Sequence, residues 1–356
     1  MENKTYTNEY NSGMILPIST PPITAYQQIA LPLSVAMQNM TFSNWFYSNY
    51  IQVSCVNRNH YVLRGNTDNA LHYSYYNPEI TFPDPLDHIS LEGCEQLYFF
   101  RKPYSIIESI SDGWYIYTDA DMFFIDGSDG YKEIHHPHDM LIYGCNENYM
   151  YIYMYDKLKL TSHIVSYDHF LDGYYSKFCH EDIYRNRAIL LKPNTINCAI
   201  NLEKIRWYMN DYLNGTETFA RERPNIFNPN SLTMNGMDTY TEFDNLLDYV
   251  LVSENKHLRR TDFYCLYEHK KIMFDRVIYL NKQGMLYANS DLINEFGYIK
   301  DLSHIIMMLG LKIGILNDIN KINNSILSIK KRLIDMRNLE ERTWNRYIST
   351  NKEILG

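Results

Sequence analysis

The stretch from His138 to Asp156 constrains the fold of this chain most, because it indicates two β-strands joined by a tight turn. Residues 140–144 form a short apolar run, and residues 146–148 are polar and turn-like. Tyrosines then occupy alternate positions at Tyr149, Tyr151, Tyr153 and Tyr155. Successive side chains of a strand point to opposite faces, so the four tyrosines are predicted to share one face of an antiparallel hairpin.

Tyrosine is abundant throughout the chain, with 33 copies among 356 residues. Codon bias explains a general excess, since Asn, Ile and Lys are also plentiful. It does not explain a four-residue ladder that leads directly to Asp156. This ladder is expected either to pack against a helix or to line the approach to His138.

Composition excludes several classes of function. With 45% hydrophobic and 21% charged residues, the chain resembles an ordinary globular protein, and its length favours two domains. The net charge is −9, and the densest basic run is the triplet at residues 330–332. Nucleic-acid binding therefore has little support, because phosphate recognition needs clustered cations.

No targeting or membrane segment is expected either. Residues 1–4 lack the basic and then apolar pattern of a signal peptide, and the best apolar run, residues 305–316, is interrupted by Gly310, Lys312 and Gly314. We therefore predict a cytoplasmic protein without membrane contact. The six cysteines have no close spacing that suggests zinc, and we predict no metal and no cofactor.

The chain has two regions with different patterns of secondary-structure signals, and these regions predict the domain organisation. Residues 1–198 mix strand and helix signals, and the sequential strands at 113–119, 140–144, 149–156 and 187–192 predict an α+β domain with an antiparallel sheet. Residues 199–356 are predicted to form a helical domain, with helices at 201–212, 238–252, 262–280, 302–316 and 322–347. The long last helix is also a candidate homodimer interface.

The predicted hairpin places His138 and Asp156 at the same edge of the sheet, where an Asp–His hydrogen bond can form. Cysteine-dependent hydrolases and acyltransferases need this pair to activate a thiol. The pattern of His138, an apolar strand, Gly144, a turn and a strand ending in Asp156 resembles the core of papain-like cysteine peptidases that process bacteriocin leaders.

Four further stretches, residues 45–52, 113–116, 138–144 and 267–273, resemble proteins of bacterial natural-product gene clusters that are remotely similar to butirosin biosynthesis protein H. The resemblance implies a papain-like, cysteine-peptidase-like domain. It also implies acyl transfer or amide-bond processing on a carrier-bound or peptide intermediate of nonribosomal-peptide type. The implied partner is an acyl or peptidyl carrier protein, or a peptide.

Two hypotheses remain open for the nucleophile. Cys55 precedes His138 by a spacing that fits the leader peptidases, and Gln52 is placed to stabilise an oxyanion. Alternatively, the helix predicted from Pro22 is the central helix of the fold, and its first turn contains no cysteine. The protein would then be a catalytically inactive binding or scaffold protein that holds a peptide or carrier protein, or a structural partner of a synthetase.

Other polar residues nearby are weaker candidates. Asp119 and Asp121 follow a predicted strand, which suits catalysis or metal binding but is more typical of solvated turn residues. His135, His136 and His138 suggest a metal at first sight, but their spacing is not that of a familiar ligand set.

Overall fold

The computed structural model describes residues 13–56, 74–75, 90–91, 94–100, 106–156, 159–180, 187–193, 195, 197–218, 233–254, 256 and 258–356. The chain divides into two compact units. The first unit contains Met1–Phe42 and Phe82–Asn197, and the second contains Ser43–Thr81 and Cys198–Gly356.

This division differs from the predicted domains, 1–198 and 199–356, in one respect. The break between Asn197 and Cys198 lies one residue before the predicted boundary, but residues 43–81 belong to the second unit. The physical reason is a strand pairing: β2 (Val53–Val56) pairs antiparallel with β11 (Thr233–Asn235). Such long-range pairing has no local signal in the sequence.

One sheet organises the described part of the first unit, and every neighbouring pair of its eight strands is antiparallel. The strands are β1 (Met14–Ile15), β4 (Ser90–Leu91), β5 (Cys94–Phe100), β6 (Tyr115–Asp121), β7 (Pro137–Cys145), β8 (Tyr149–Asp156), β9 (Lys159–Ser166) and β10 (Arg187–Pro193). Their order is β4-β5-β10-β6-β7-β8-β9, with β1 on β7. The mixed helix and strand class with an antiparallel sheet is confirmed.

Helices α3 (Ile106–Ser111) and α4 (Tyr167–Tyr174) pack on one face of this sheet, which we call the α4 face. Alternate residues of β6, β7 and β8, such as Ala120, Met140 and Met154, join Phe170 and Tyr174 in one buried apolar cluster. Full burial of a Met or Phe side chain in this cluster, such as Met140, Met154 or Phe170, stabilises the fold by about 1.5–3 kcal/mol. Short α5 (Lys177–His180) follows α4.

The opposite face is covered by α1 (Gln27–Ala36), because α1 contacts β7, β8 and β10 while its buried residues lie outside the α4-face cluster. This helix begins five residues after Pro22, with Tyr26 still extended. Strand register places the tyrosine ladder of β8 on this α1 face, where Tyr151 and Tyr153 are buried. The ladder therefore shares one face, as predicted. Asp156 points to the other face, which favours packing over lining of the His138 site.

The second unit combines a small sheet, β11-β2-β3, with helices. Strand β3 is Ser74–Tyr75. The helices are α2 (Phe42–Asn49), α6 (Leu202–Leu213), α7 (Thr239–Val252), α8 (Arg260–Lys282), α9 (Ser290–Ile313), α10 (Ile319–Thr350) and α11 (Lys352–Leu355). The helical C-terminal region is confirmed. Helix α9 begins twelve residues before the predicted start at 302, and Leu292, Phe296 and Ile299 in its first turns continue the buried apolar stripe.

Two buried cations of α8, Lys270 and Arg276, bond to other segments of the second unit. Lys270 lies 2.9 Å from Glu340, whose carboxylate also accepts hydrogen bonds from Tyr212 and Tyr240. Arg276 of α8 donates from Nε to the carbonyl of Tyr47 at 2.8 Å and from a terminal nitrogen to that of Tyr50. Arg276 thereby satisfies carbonyl groups at the end of α2, which have no partner within the helix itself.

Among the helices that the structure describes, none has the combination of length and apolar character that crossing a bilayer requires.

Candidate functional site

The hairpin of β7 and β8 brings His138 and Asp156 to the same place in the first unit. The register pairs Met140 with Met154, so His138 and Asp156, each two residues further out, lie opposite each other on the α4 face. The turn falls at residues 146–148, where the Asn146 side chain accepts the backbone N–H of Tyr149 at 2.7 Å. The predicted hairpin is confirmed.

Asp156 has other direct partners than His138. Its Oδ1 accepts the backbone N–H of Asp129 at 3.1 Å, and its Oδ2 lies 3.2 Å from Nε2 of His163. His163 is on β9, opposite Ile152, and is almost fully buried. Sequence reasoning missed this histidine. Its signal is the β9 alternation, which places His163 on the same face as Asp156.

His138 is half-buried, and its Nδ1 lies 3.2 Å from the backbone oxygen of Asp139. Burial lowers the pKa of His138, while Asp139 and the negative charge of Asp156 oppose this decrease. The nearby ring of His136 also favours the neutral form. His138 and Asp156 are therefore electrostatic neighbours, with Asp156 held mainly by Asp129 and His163.

Cys55 lies in the second unit, on β2 between β11 and β3. Its side chain is 1% exposed. Burial raises the pKa of the Cys55 thiol, and the negative charges of Glu242 and Asp262 raise it further. A nucleophilic cysteine needs the opposite environment, one that stabilises the thiolate.

Gln52 also belongs to the second unit, and its amide is fully engaged there. Nε2 donates to the carbonyl of Thr216 at 3.0 Å and to the hydroxyl of Thr218 at 3.2 Å, while Oε1 accepts the backbone N–H of Val53. An oxyanion could receive a hydrogen bond from Gln52 only at the cost of these contacts. The structure thus groups the four predicted site residues as two pairs, one within each unit.

A second Asp–His pair occurs at the end of β6. The fully buried Asp121 carboxylate lies 2.7 Å from Nδ1 of His135 and accepts the Ser176 hydroxyl at 2.8 Å. It also accepts the backbone N–H groups of Phe123 and His136. The sequence named Asp121 and His135 only as weak candidates, since fourteen residues separate them and no pattern joins them.

The His135 ring lies between two phenyl rings. The Phe123 and Phe178 ring centroids are 4.2 and 4.3 Å from that of His135, and both rings are nearly parallel to it. Across the described ranges, no group of three or more His, Cys, Asp or Glu side chains is arranged to hold a metal ion. The contacts with Asp121 and with the two phenyl rings therefore fix the orientation of the His135 imidazole.

Comparison with known proteins adds no assignment. No protein-family model matches the chain. No curated protein has significant sequence similarity to it either.

Proposed function

We propose that the first unit is a papain-like domain and that the protein serves nonribosomal-peptide-type natural-product biosynthesis by binding a peptide or carrier-bound intermediate without a cysteine nucleophile. The observation that carries this proposal is the environment of Cys55, which is buried beside two carboxylates. A thiol in such surroundings stays protonated at neutral pH and cannot attack an acyl group.

The order of elements in the first unit supports the papain-like assignment. Helix α1 packs on the sheet, His138 stands near the start of β7, and Asp156 ends β8. Residues 20–36, which lead into and form α1, contain no cysteine. This combination matches the hypothesis of a retained fold without a thiol.

Alkylation tests the state of Cys55. Iodoacetamide at neutral pH, followed by peptide mapping, is expected to leave Cys55 unmodified in the folded protein, with the same result in His138→Ala. In urea, all six cysteines should react, which confirms that the reagent and the mapping work. Rapid alkylation of Cys55 in the folded protein, reduced by His138→Ala, would instead establish Cys55 as an activated nucleophile.

A loaded carrier protein tests the partner class. A peptidyl carrier protein with an aminoacylated phosphopantetheine arm is titrated into the wild-type protein and into Cys55→Ala by calorimetry. Equal affinities for both proteins, with no increase in intact mass, are expected. An acyl adduct on Cys55 would overturn the non-covalent mechanism, and the absence of binding would overturn the carrier as partner.

A further inference from the structure

We propose that Asp121 and His135 form a general-base site that activates water for the hydrolysis of activated acyl esters with apolar acyl chains. The site lies entirely in the first unit and involves neither Cys55 nor a carrier protein. It is therefore independent of the function proposed above.

Asp121 is built as a fixed anion. Burial alone would raise its pKa, but hydrogen bonds from His135, Ser176 and the backbone N–H groups of Phe123 and His136 lower the pKa below its ordinary value. A carboxylate only accepts hydrogen bonds, so the proton shared with His135 sits on Nδ1. Nε2 of His135 then carries the lone pair that can take a proton.

The imidazole is oriented as well as polarised. Phe123 and Phe178 stack on opposite sides of the His135 ring and restrict its rotation. The His135 side chain is 37% exposed, and Nε2 has no hydrogen-bond partner among the described residues. A buried carboxylate, a fixed tautomer and an accessible nitrogen are the parts that a general base requires.

The reaction balances without a further reagent. Nε2 of His135 takes a proton from water as the water oxygen bonds to the acyl carbon of the ester. The bond between that carbon and the leaving oxygen then breaks, and the leaving oxygen keeps the electron pair. The imidazolium returns its proton to the leaving group, so one ester and one water give one acid and one alcohol.

The surroundings of Nε2 favour an apolar acyl chain. Phe123 and Phe178 flank the imidazole, and the adjacent Ile134 is 61% exposed. A chain of several methylene groups can lie on this surface, and each methylene removed from water strengthens binding. Longer acyl chains should therefore be hydrolysed faster than acetyl.

The chain contains its own control. His169 Nδ1 lies 2.9 Å from Asp126, which resembles the contact between His135 and Asp121. Asp126 is 35% exposed, however, and the ring near His169 is Tyr131 at 6.3 Å, not a stacked pair. The His169 side chain is 42% exposed, close to the 37% of His135, so it reports what an imidazole without a buried carboxylate and without two stacked rings does with the same ester.

Ester hydrolysis by the full-length protein tests the proposal, with p-nitrophenyl hexanoate and p-nitrophenyl acetate as substrates. In His135→Gln, kcat/KM is expected to fall by about 100-fold, the lower range for general-base catalysis. His169→Ala and Cys55→Ala should remain within about 2-fold of wild type. The wild-type reaction should also show a solvent deuterium isotope effect that His135→Gln lacks, which a merely structural histidine would not produce.

Chemical modification of the wild-type protein avoids any folding defect of the variants. Diethylpyrocarbonate should abolish hydrolysis in parallel with the adduct on His135, and hydroxylamine should restore it. The proposal is overturned if the second-order rate constant for ester hydrolysis by the wild-type protein, divided by its number of histidines, does not exceed the rate constant of free imidazole. It is also overturned if activity persists when His135 is fully modified.

Discussion

The Asp156 carboxylate lies 3.2 Å from Nε2 of His163, the histidine of the neighbouring strand β9. This contact joins two strands on the α4 face and is covered by the loop that donates the Asp129 N–H to Asp156. His138 shares the same face but is held beside Asp139. The strongest coupling of Asp156 is therefore expected with His163 and not with the histidine of the predicted triad.

A pair of double-mutant cycles measures this difference. Asp156→Asn combined with His163→Gln should show a coupling free energy of about 0.5–3 kcal/mol, the range for residues in contact. The same cycle with His138→Gln should give less than about 0.5 kcal/mol. Urea unfolding of the three single variants, the two double variants and the wild type provides these free energies. Equal coupling in both cycles would show that Asp156 serves His138 as strongly as His163.

The buried pair of Lys270 and Glu340 predicts a strong stability effect in the second unit. Replacing Lys270 by Met leaves the Glu340 carboxylate buried without its cation and should destabilise this unit by about 3–5 kcal/mol. The double variant Lys270→Met with Glu340→Leu should recover part of this loss. Recovery stays partial because the hydroxyls of Tyr212 and Tyr240 lose their acceptor.

Thermal melting of the wild type, Lys270→Met, the double variant and the control Lys271→Met tests this prediction. A partly exposed pair, Lys271 and Asp275, serves as the matched control, since surface pairs contribute about 0–1 kcal/mol. If Lys270→Met melts like Lys271→Met, the buried network does not hold the helices together.

Asp121 makes stability depend on acid pH. Its pKa in the folded state is lower than in the unfolded chain, where Asp titrates at about 3.9. The unfolded state therefore binds more protons in this range, so the stabilisation is present above the unfolded pKa and is lost as the pH falls through the folded pKa. Asp121→Asn should reduce the acid dependence of the melting temperature between about pH 5 and pH 2.

Melting curves of the wild type and Asp121→Asn across that pH range give the comparison. Both proteins contain the other carboxylates, so only the difference between their slopes is informative. Parallel curves would mean that Asp121 gains nothing from its four hydrogen-bond donors.

Two glycines with positive φ predict contrasting effects of a single methyl group. A Cβ at Gly236, with φ of +52°, would overlap the backbone oxygen of Tyr212, whereas a Cβ at Gly284, with φ of +67°, meets nothing within 4 Å. Gly284→Ala therefore costs only the backbone strain, about 1–2 kcal/mol. Gly236→Ala should cost clearly more, because the backbone must also move. Similar urea midpoints for the two variants would contradict the described turn after β11.

Local patterns were sufficient to predict the β7–β8 hairpin, the shared face of the β8 tyrosines and the helical C-terminal region. The period of two in β8 and the apolar stripe of α10 are properties of neighbouring residues, which is why they can be recognised in one sequence.

The pairs Asp156–His163 and Asp121–His135 could not be found in this way. Each depends on which strand or loop lies beside another, and that information is not local. The position of Cys55 in the second unit could not be predicted for the same reason. The sequence of β2 is that of an ordinary buried strand, and the pairing of Cys55 with Met234 on β11 is what connects it to the second unit.

Arg276 and β2 attach residues 43–56 to helices and strands that are encoded more than 170 positions later. During synthesis this early segment leaves the ribosome long before α8 and β11 exist, because residues 82–197 of the first unit are made in between. The second unit can therefore close only after nearly the whole polypeptide has been made. A fragment that starts at residue 198 would lack strands β2 and β3 and helix α2 of the second unit, so the two units cannot be separated by a single cut in the gene.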